Sequence, residues 1–384
     1  MHVGMLLATL TPGHVGGSET YVRGLLAAFA AGDGPQRTTV LTHRAAAESL
    51  GVPAGDSVAL RTLPGAGPAG GGPRRAAWLV REIAAARLRP LRDETVDVVH
   101  APLTIPVPRV AGAPVVMTLH DVTHHEYPAS FSLAERTFRR VAYDGSARRA
   151  ALVITDSEHA RAAIVDRLGI AAERVVAIHF GIDHARFHPR PDAADDALLA
   201  GLALPARYVA YPANLWPHKN HERLIEALAA CENREIELVL TGRRGRRWDA
   251  LHALATRRGV AHRIHHHGYL PGDAIAALYR RATGMVFPSL AEGFGAPPLE
   301  AMACGCPVAA SGDGAVAEVT GNAALHFDPR DVSAIAGALE RLAGDPPLRS
   351  RLRAAGAARA AGFTWAACAR RHAEVYERAA ACSS

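Results

Sequence analysis

Two glutamates flank a glycine-rich turn in the second half of the chain, in the run AEGFGAPPLEAMACG. Glu292 precedes the turn and Glu300 follows it, so one carboxylate can face a reacting centre while the other binds a pair of hydroxyls. The glycines expose backbone N–H groups, and a helix that begins near Pro298 would add its dipole. The run therefore predicts a turn that neutralises a diphosphate.

The second candidate group is Lys219, the single lysine among 43 lysine and arginine residues. It lies in PANLWPHKN, directly after a predicted strand, and so at the carboxyl end of that strand. A lysine that persists where arginine is otherwise used throughout suits a compact charge against a phosphate oxygen. Chance is the alternative explanation for it.

A third candidate is the pair Gly16 and Gly17 in TPGHVGGSETYVRGLL. The backbone of two glycines can approach a ligand closely, and a helix that begins at Ser18 favours an anion. The run lacks both G-x-x-x-x-G-K-[ST] and G-x-G-x-x-G, so it carries neither the kinase-like nor the dinucleotide fingerprint. A tight turn between strand and helix is the alternative interpretation.

These groups need strands and helices that place them, and the sequence alternates short aliphatic runs with longer stretches of helical period. That pattern is typical of βαβ units and predicts an α/β fold with two doubly wound parallel-sheet domains. Such domains bind ligands at the carboxyl ends of their strands. We predict domains at residues 1–190 and 191–364, a final helix at 365–384, a linker at 181–205 and a loop at 61–75.

Composition narrows the class of protein. The chain has 384 residues, 49% of them hydrophobic, and a net charge of +6, which tolerates an anionic ligand. Five cysteines without a C-x-x-C pair argue against a disulfide framework and against a zinc knuckle. We find neither a signal peptide nor a run of about 18 apolar residues, so a cytoplasmic protein is predicted.

The motifs together closely resemble the retaining GT-B glycosyltransferases of family four. The E-x7-E pair Glu292 and Glu300 and the HKN run that contains Lys219 are the most specific matches. The resemblance spans nearly the whole chain and is looser in the first half. Further matching pieces are Gly16 and Gly17, His120 and Asp121, Gly181 to Asp183, Phe187, Pro189, Gly242, and His267 to Leu270.

The resemblance implies two Rossmann-like domains that face each other across a cleft, with acceptor binding in the first, donor binding in the second and the last helix packed back on the first. It implies catalytic roles for Glu292, His120 and Lys219: Glu292 and His120 near the transferred sugar and Lys219 on the diphosphate. It implies that Glu300 binds the ribose hydroxyls. The implied donor-binding residues are Gly16, Gly17, Asn214, Lys219, Gly242, Arg243, Tyr269, Leu270, Gly293, Phe294, Gly295, Ala296 and Glu300.

The chain departs from the family at Asn214, because many relatives carry an arginine in that stretch. The phosphate clamp is therefore expected to depend more on Lys219, or on Arg243 or Arg244. No D-x-D motif occurs in the sequence, so we predict a reaction that requires no metal cofactor. The diphosphate itself would accept the proton of the acceptor hydroxyl.

The resemblance implies transfer of a hexosyl or deoxyhexosyl group, with mannosyl favoured. It favours GDP-mannose as donor, with UDP- or dTDP-hexoses as alternatives. The acceptor is expected to be a lipid-linked glycan or a small polar metabolite, such as an aminocyclitol in antibiotic assembly, and the GC-biased composition suits an actinobacterium. A nucleotide-sugar epimerase or phosphorylase of the same fold and a non-catalytic nucleotide-sugar binding protein are the rival interpretations. The oligomeric state is not predicted.

Three other clusters are interpreted as secondary. The histidines around His124 and His125, and those at residues 265–267, lack a carboxylate or cysteine at suitable spacing, so no metal site is predicted. The basic run of Arg243, Arg244, Arg246 and Arg247 lacks interleaved aromatic residues, which argues against a nucleic-acid partner. Arginines at positions 74–75 and 136–149 leave peripheral contact with anionic lipid at the inner membrane face open.

Overall fold

The computed structural model describes residues 1–13, 16–51, 57–64, 67, 73–88, 91, 95–245 and 247–382. It forms two compact units. The first contains Met1–His125, Phe131–Gly181 and Thr364–Ser384, and the second contains Glu126–Ser130 and Ile182–Phe363. The chain thus leaves the first unit after Gly181 rather than after the predicted residue 190, and it returns to that unit with the final helix.

The first unit is built on a seven-stranded parallel sheet with the strand order β3-β2-β1-β4-β5-β6-β7. The order reverses between β1 and β4, and open parallel sheets commonly bind ligands at such a reversal, beyond the carboxyl ends of the strands. Its strands are β1 His2–Leu6, β2 Arg37–Thr42, β3 Val58–Thr62, β4 Val98–Ala101, β5 Val115–Thr118, β6 Leu152–Thr155 and β7 Val175–Ala177.

Helices accompany this sheet along the chain, as βαβ connections require. Buried aliphatic side chains such as Val99, Met117 and Val153 lie in one core cluster with Ile164 and Leu168 of the helix after β6. The helices are α1 Gly17–Ala30, α2 Arg44–Leu50, α3 Pro73–Leu88, α4 Thr123–Glu126, which continues into the second unit at its last residue, α5 Leu133–Arg139, α6 Gly145–Arg149 and α7 Glu158–Leu168.

The second unit repeats the plan with a six-stranded parallel sheet in the order β10-β9-β8-β11-β12-β13. Here the order reverses between β8 and β11. The strands are β8 Val209–Pro212, β9 Leu238–Thr241, β10 Ile264–His266, β11 Gly284–Phe287, β12 Val308–Ser311 and β13 Leu325–Phe327. The helices are α8 Asp195–Leu199, α9 His221–Ala230, α10 Arg247–Arg257, α11 Gly272–Arg281, α12 Ala296–Ala303, α13 Gly314–Thr320, α14 Val332–Gly344 and α15 Pro346–Ala361.

The last helix, α16 Trp365–Ala381, packs on α1 within the first unit. Buried polar groups connect the two helices, because the Tyr21 hydroxyl lies 2.6 Å from His372 Nε2 and 3.0 Å from Thr118 Oγ1. Gly24 of α1 faces the Trp365 ring so closely that a Cβ at this position would lie 2.1 Å from Trp365 Cε2. A side chain there cannot be accommodated without displacing the tryptophan.

The fold class predicted from the sequence, two Rossmann-like parallel-sheet domains, is confirmed. Two local predictions are wrong. Residues 61 and 62 end strand β3 and residue 73 begins α3, so the predicted loop at 61–75 overlaps regular structure at both ends, and much of its middle lies outside the described residues. The predicted linker contains α8, whose Asp195 is buried and hydrogen-bonded by the Arg280 Nε at 2.8 Å.

The helical period of the sequence predicts one helix over residues 133–150, but in the structure this segment is interrupted. A capping box begins α5, in which Ser132 and Glu135 accept from each other's backbone N–H groups. A π-helical turn, Arg140–Asp144, then separates α5 from α6. This turn leaves Val141 exposed and buries Asp144.

Candidate functional site

Lys219 ends a 3-10 turn, Pro217–Lys219, that follows β8 at the strand-order reversal. Tyr211 fixes this turn, because its hydroxyl donates to the Lys219 carbonyl at 2.6 Å. Asn220 has a φ of 62°, a left-handed conformation that asparagine tolerates, and directly precedes α9. The turn therefore presents Lys219 in a defined direction.

Asn220 is a structural residue that the sequence interpretation missed, although it is the last letter of the HKN motif. Its side-chain amide donates to the Pro288 carbonyl at 3.0 Å and to the Pro329 carbonyl at 2.7 Å. The side chain is buried, so both donors would be costly to leave unpaired. Asn220 thereby joins the Lys219 turn to the segment after β11.

The side chains of Lys219 and Glu292 form an ion pair. The Lys219 Nζ lies 2.5 Å from Glu292 Oε1, and only 12% and 14% of the two side chains are exposed. The ammonium also lies 5.5 Å from the centre of the Phe287 ring. Two predicted site residues, 73 positions apart in sequence, thus meet at the ends of the two strands that flank the reversal.

The turn after Glu292 leads into α12 through Gly295, whose φ of +107° is a conformation that favours glycine. The helix begins at Ala296, two residues before the predicted start at Pro298, with prolines in its first turn. Prolines here cost no hydrogen bond, since the first N–H groups of a helix have no intrahelical partner. Of the turn's other predicted residues, Gly293 is half-buried and Phe294 is buried.

The loops after β8, β9 and β10 meet at Gly242. Its N–H donates to the Gly268 carbonyl at 2.6 Å, and the N–H of Arg243 donates to Asn214 Oδ1 at 3.0 Å. Asn214 therefore accepts a backbone hydrogen bond. The Arg243 guanidinium lies 5.9 Å from the centre of the Tyr269 ring, which is 70% exposed.

Arg244 and Leu270 are also predicted from the sequence to take part in donor binding. The Arg244 guanidinium donates to the His266 carbonyl at 2.8 Å and packs over Trp248, so it is a loop-fixing residue in this structure. Leu270 is half-buried in the segment between β10 and α11. Arg246 lies outside the described residues.

We expect Gly242→Ala to destabilise the second unit by about 2 kcal/mol or more. Gly242 has a φ of +121°, and a Cβ there would lie 2.3 Å from the Ala213 carbonyl oxygen, an atom of the backbone that cannot move aside locally. The matched control is Gly245→Ala, at φ +55° with open space around the added atom. Urea unfolding measures both, and equal midpoints for the two variants would refute the steric explanation.

Glu300 lies in α12 and is not part of the ion pair. Its carboxyl interacts electrostatically with Arg186 and Asp183. Burial raises the pKa of Glu300 to about 7 from an ordinary 4.5; Arg186 opposes this rise and Asp183 adds to it. A carboxyl with a raised pKa in the folded state binds more protons there than in the unfolded chain. The group is thus suited to exchange protons or hydrogen bonds near neutral pH.

The raised pKa predicts a pH dependence of stability. The contribution of Glu300 is fully present below about pH 4.5 and is lost as the pH rises to about 7, because folding then buries a charge. The free energy of unfolding should therefore fall across this window, and Glu300→Gln should remove that part of the slope. Urea titrations at several pH values compare the two chains. An unchanged slope in the variant would contradict the assignment.

In the first unit, His120 follows β5 and pairs with Asp156 after β6. The distance from His120 Nδ1 to Asp156 Oδ2 is 2.9 Å. Burial lowers the pKa of His120, but the charge and hydrogen bond of Asp156 outweigh it and the pKa is raised overall. Sequence reasoning missed Asp156. Its only signal was its place at the carboxyl end of the neighbouring strand.

The glycine pair after β1 lies at the start of α1, where the Gly16 carbonyl accepts from the N–H of Glu19 at 3.0 Å. Gly16 has a φ of +55° and open space around it, and α1 begins at Gly17 rather than at the predicted Ser18. The N–H of Gly13 donates to Glu19 Oε2 at 2.7 Å, which holds the loop against the first turn of α1. An anion at this helix start would meet Glu19 as well as the helix dipole.

The reasoning that no carboxylate completes a histidine cluster is wrong for His124 and His125. Asp144 is distant in sequence, but the π-helical turn brings it to both imidazoles. In the second unit, His265 Nε2 pairs instead with Glu237 at 2.5 Å. Among the described helices, none has the length and apolar character needed to cross a membrane.

Comparison with known families agrees with this division. Residues 15–186 match the family described as Glycosyltransferase Family 4, and residues 201–359 match the family described as Glycosyl transferases group 1. The first match falls almost wholly in the first unit and the second wholly in the second unit.

Curated relatives carry related names. O-antigen chain mannosyltransferase B of Escherichia coli is 32% identical over 257 residues, which cover 66% of this chain and 67% of that protein. A D-inositol 3-phosphate glycosyltransferase of Frankia alni is 33% identical over 57% of this chain and 56% of its own. A serotype-specific mannosyltransferase of Escherichia coli is 31% identical over 57% of this chain and 28% of its own. The chain thus spans only part of these relatives.

Solved structures share the architecture. The Anabaena protein HepE, in complex with UDP and glucose, is 22% identical with a TM-score of 0.73 and covers 98% of this chain and 100% of its own. Sucrose-phosphate synthase from Thermosynechococcus elongatus is 23% identical with a TM-score of 0.76 over the full length of both chains. At this level of identity the likeness shows the fold, which is that of the GT-B glycosyltransferases.

Proposed function

We propose a donor and a reaction for this chain, which belongs to glycosyltransferase family 4, the group 1 glycosyl transferases. It transfers a hexosyl group, with mannosyl preferred, from a nucleotide diphosphate sugar to an acceptor hydroxyl with retention of configuration. Lys219 and the start of α12 neutralise the diphosphate, Glu292 and His120 act near the transferred sugar, and Glu300 binds the ribose.

The observation that carries this proposal is the ion pair between Lys219 and Glu292 beside the Gly295 turn. Breaking the bond between the anomeric carbon and the phosphate oxygen places negative charge on the departing diphosphate. A fixed ammonium and the N–H groups at a helix start stabilise that charge without reorganisation. Glu292 holds the ammonium beside the turn, so its position is set before the donor binds.

In the proposed step, the bond from the anomeric carbon to the diphosphate breaks and the acceptor oxygen bonds to the same carbon on the face that the leaving group vacates. The acceptor hydroxyl gives its proton to an oxygen of the departing diphosphate, which balances the reaction. Glu292 acts electrostatically and orients the sugar. The step uses no metal ion.

The names of the relatives guide the choice of substrates. Mannosyltransferases among them support GDP-mannose, and the UDP and UDP-glucose in the HepE structures keep UDP-hexoses, with dTDP-hexoses, as alternatives. For the acceptor, the O-antigen relative supports a lipid-linked glycan, and the inositol phosphate relative supports a small cyclitol, the class that includes aminocyclitols.

The test offers the purified chain GDP-mannose, GDP-glucose, UDP-glucose, UDP-galactose and dTDP-glucose without acceptor, and measures the Tm shift and slow donor hydrolysis. We expect the largest shift and hydrolysis with GDP-mannose. Transfer to a cyclitol phosphate or a lipid-linked glycan is then followed by NMR of the anomeric carbon, which reports retention. Absence of a Tm shift with every nucleotide sugar would refute the proposal, and stabilisation without any transfer would favour a nucleotide-sugar binding protein.

A further inference from the structure

We propose that His124, His125 and Asp144 form a binding site for a zinc-like divalent metal ion in the first unit. Two imidazoles and one carboxylate are a common ligand set for zinc, with water as a fourth ligand. The proposal does not depend on the glycosyltransferase reaction, because the groups proposed to neutralise the diphosphate are other residues.

The two imidazoles contact the same carboxylate, each at a different oxygen. His124 Nε2 lies 3.0 Å from Asp144 Oδ1, and His125 Nε2 lies 2.8 Å from Asp144 Oδ2. The three candidate ligand atoms all lie within 4.8 Å of one another. Ligand atoms about 2.0–2.1 Å from a tetrahedral zinc ion are about 3.3 Å apart. For zinc binding, each hydrogen-bonded nitrogen and oxygen atom would separate by a few tenths of an ångström, and any ligand atoms that now lie farther apart, up to 4.8 Å, would approach one another.

The local backbone explains why consecutive histidines reach the same carboxylate. His124 and His125 lie on the four-residue helix α4, and the centres of their rings are 4.4 Å apart. Asp144 is the last residue of the π-helical turn, which adds a residue to the helix and so turns Asp144 inward. Such single π-helical turns occur often at functional sites.

The site is buried on one side and partly open on the other. Asp144 and His124 are buried, whereas the His125 side chain is 18% exposed and offers a route for an ion. A buried carboxylate requires a compensating charge. Within the described part of the chain, the ion pairs of Asp144 are those with the two histidines. A divalent ion would supply that charge with both imidazoles neutral.

One nearby cation, Arg139, contacts aromatic rings. The guanidinium of Arg139, on the adjoining helix α5, lies 4.5 Å from the centre of the Phe131 ring and 5.2 Å from that of Tyr143. A second carboxylate near α4, that of Asp121, accepts a hydrogen bond from the N–H of Thr123 at 2.8 Å. The bound ion would therefore join α4 to the π-helical turn, just after His120, as a structural clamp.

The test uses the full chain after chelator treatment and dialysis. Zinc binding is titrated against a chromophoric chelator, and Co²⁺ replaces zinc so that its visible absorption reports tetrahedral coordination. We expect one equivalent bound tightly, an intense Co²⁺ band, and a Tm that rises by a few degrees with zinc and falls again with excess chelator.

Asp144→Asn and His125→Gln should each weaken zinc binding at least tenfold and abolish the Co²⁺ band. His125→Gln is the safer variant because His125 is partly exposed, and circular dichroism checks that both variants fold. The matched control is His265→Gln, which alters the histidine paired with Glu237 in the second unit and should leave the tight site intact. Equal zinc affinity in all four chains, or no Co²⁺ band in the unaltered chain, would overturn the proposal.

Discussion

Lys219→Ala is expected to lower the rate of donor cleavage by about 10²- to 10³-fold, the cost of removing one fixed group that stabilises developing charge. The ammonium sits at the strand-order reversal with its position fixed from two sides. Tyr211 holds its backbone, and Glu292 holds its Nζ at 2.5 Å. Alanine keeps the turn but removes the charge, so cleavage should fall more than nucleotide binding. Steady-state hydrolysis of GDP-mannose and titration with GDP separate the two effects.

Two further variants sharpen this test. Lys219→Arg keeps the charge but replaces a compact ammonium with a planar fork, and we expect it to recover only part of the rate. Arg247→Ala is the matched control, because Arg247 pairs with Glu222 at 2.7 Å on an exposed surface of the same unit. Exposed pairs contribute about 0–1 kcal/mol, so this variant should behave like the unaltered chain. A Lys219→Ala chain with normal rate and affinity would remove the basis of the proposed function.

The meeting of Lys219 with Glu292 could be predicted because parallel strands place their carboxyl ends at one edge. A group that follows β8 and a group that follows β11 must lie near each other once the sheet order is known. The partners that fix them could not be predicted. Asn220 bonds to carbonyls of Pro288 and Pro329, and nothing in the local sequence marks a contact over such separations.

The strand and helix patterns of the sequence do not predict β3, β13 or α15, and each of these three elements has a weak apolar pattern. Strand β3, VALRT, buries only its first residue because it is the edge of the sheet. Strand β13, LHF, is three residues long. Helix α15 contains many alanines and arginines with few large apolar residues, so its buried face is hard to recognise. In each case the neighbouring sheet or helix, rather than local sequence, decides the structure.

The same limit applied to Asp144. A search for metal ligands by sequence spacing sees His124 and His125 but expects their partner nearby in the chain. The partner lies instead on a turn whose π-helical geometry is itself invisible to a helical period of 3.6 residues. A single continuous helix over residues 133–150 would have given Asp144 a different direction. Irregular helix geometry was therefore the missing information.

Asp156→Asn is expected to lower donor turnover by about 10- to 100-fold and to shift its pH profile to lower pH. Asp156 accepts from His120 Nδ1 at 2.9 Å and so directs the other ring nitrogen, Nε2, away from itself. Its charge raises the pKa of His120 against the effect of burial, and asparagine keeps an acceptor but removes that charge. Turnover measured from pH 5 to 9 tests both parts of this expectation.

Asp156 could act through His120 or could only stabilise the fold. A double-mutant cycle on turnover separates these two roles. If Asp156 acts through His120, adding Asp156→Asn to a His120→Ala chain should lower turnover no further. If Asp156 only stabilises the fold, the two losses should multiply and the Tm should fall in both backgrounds. Asp166→Asn is the control, because Asp166 is an exposed aspartate on α7 of the same unit. A normal pH profile for Asp156→Asn, with turnover equal to that of the control, would show that His120 does not depend on Asp156.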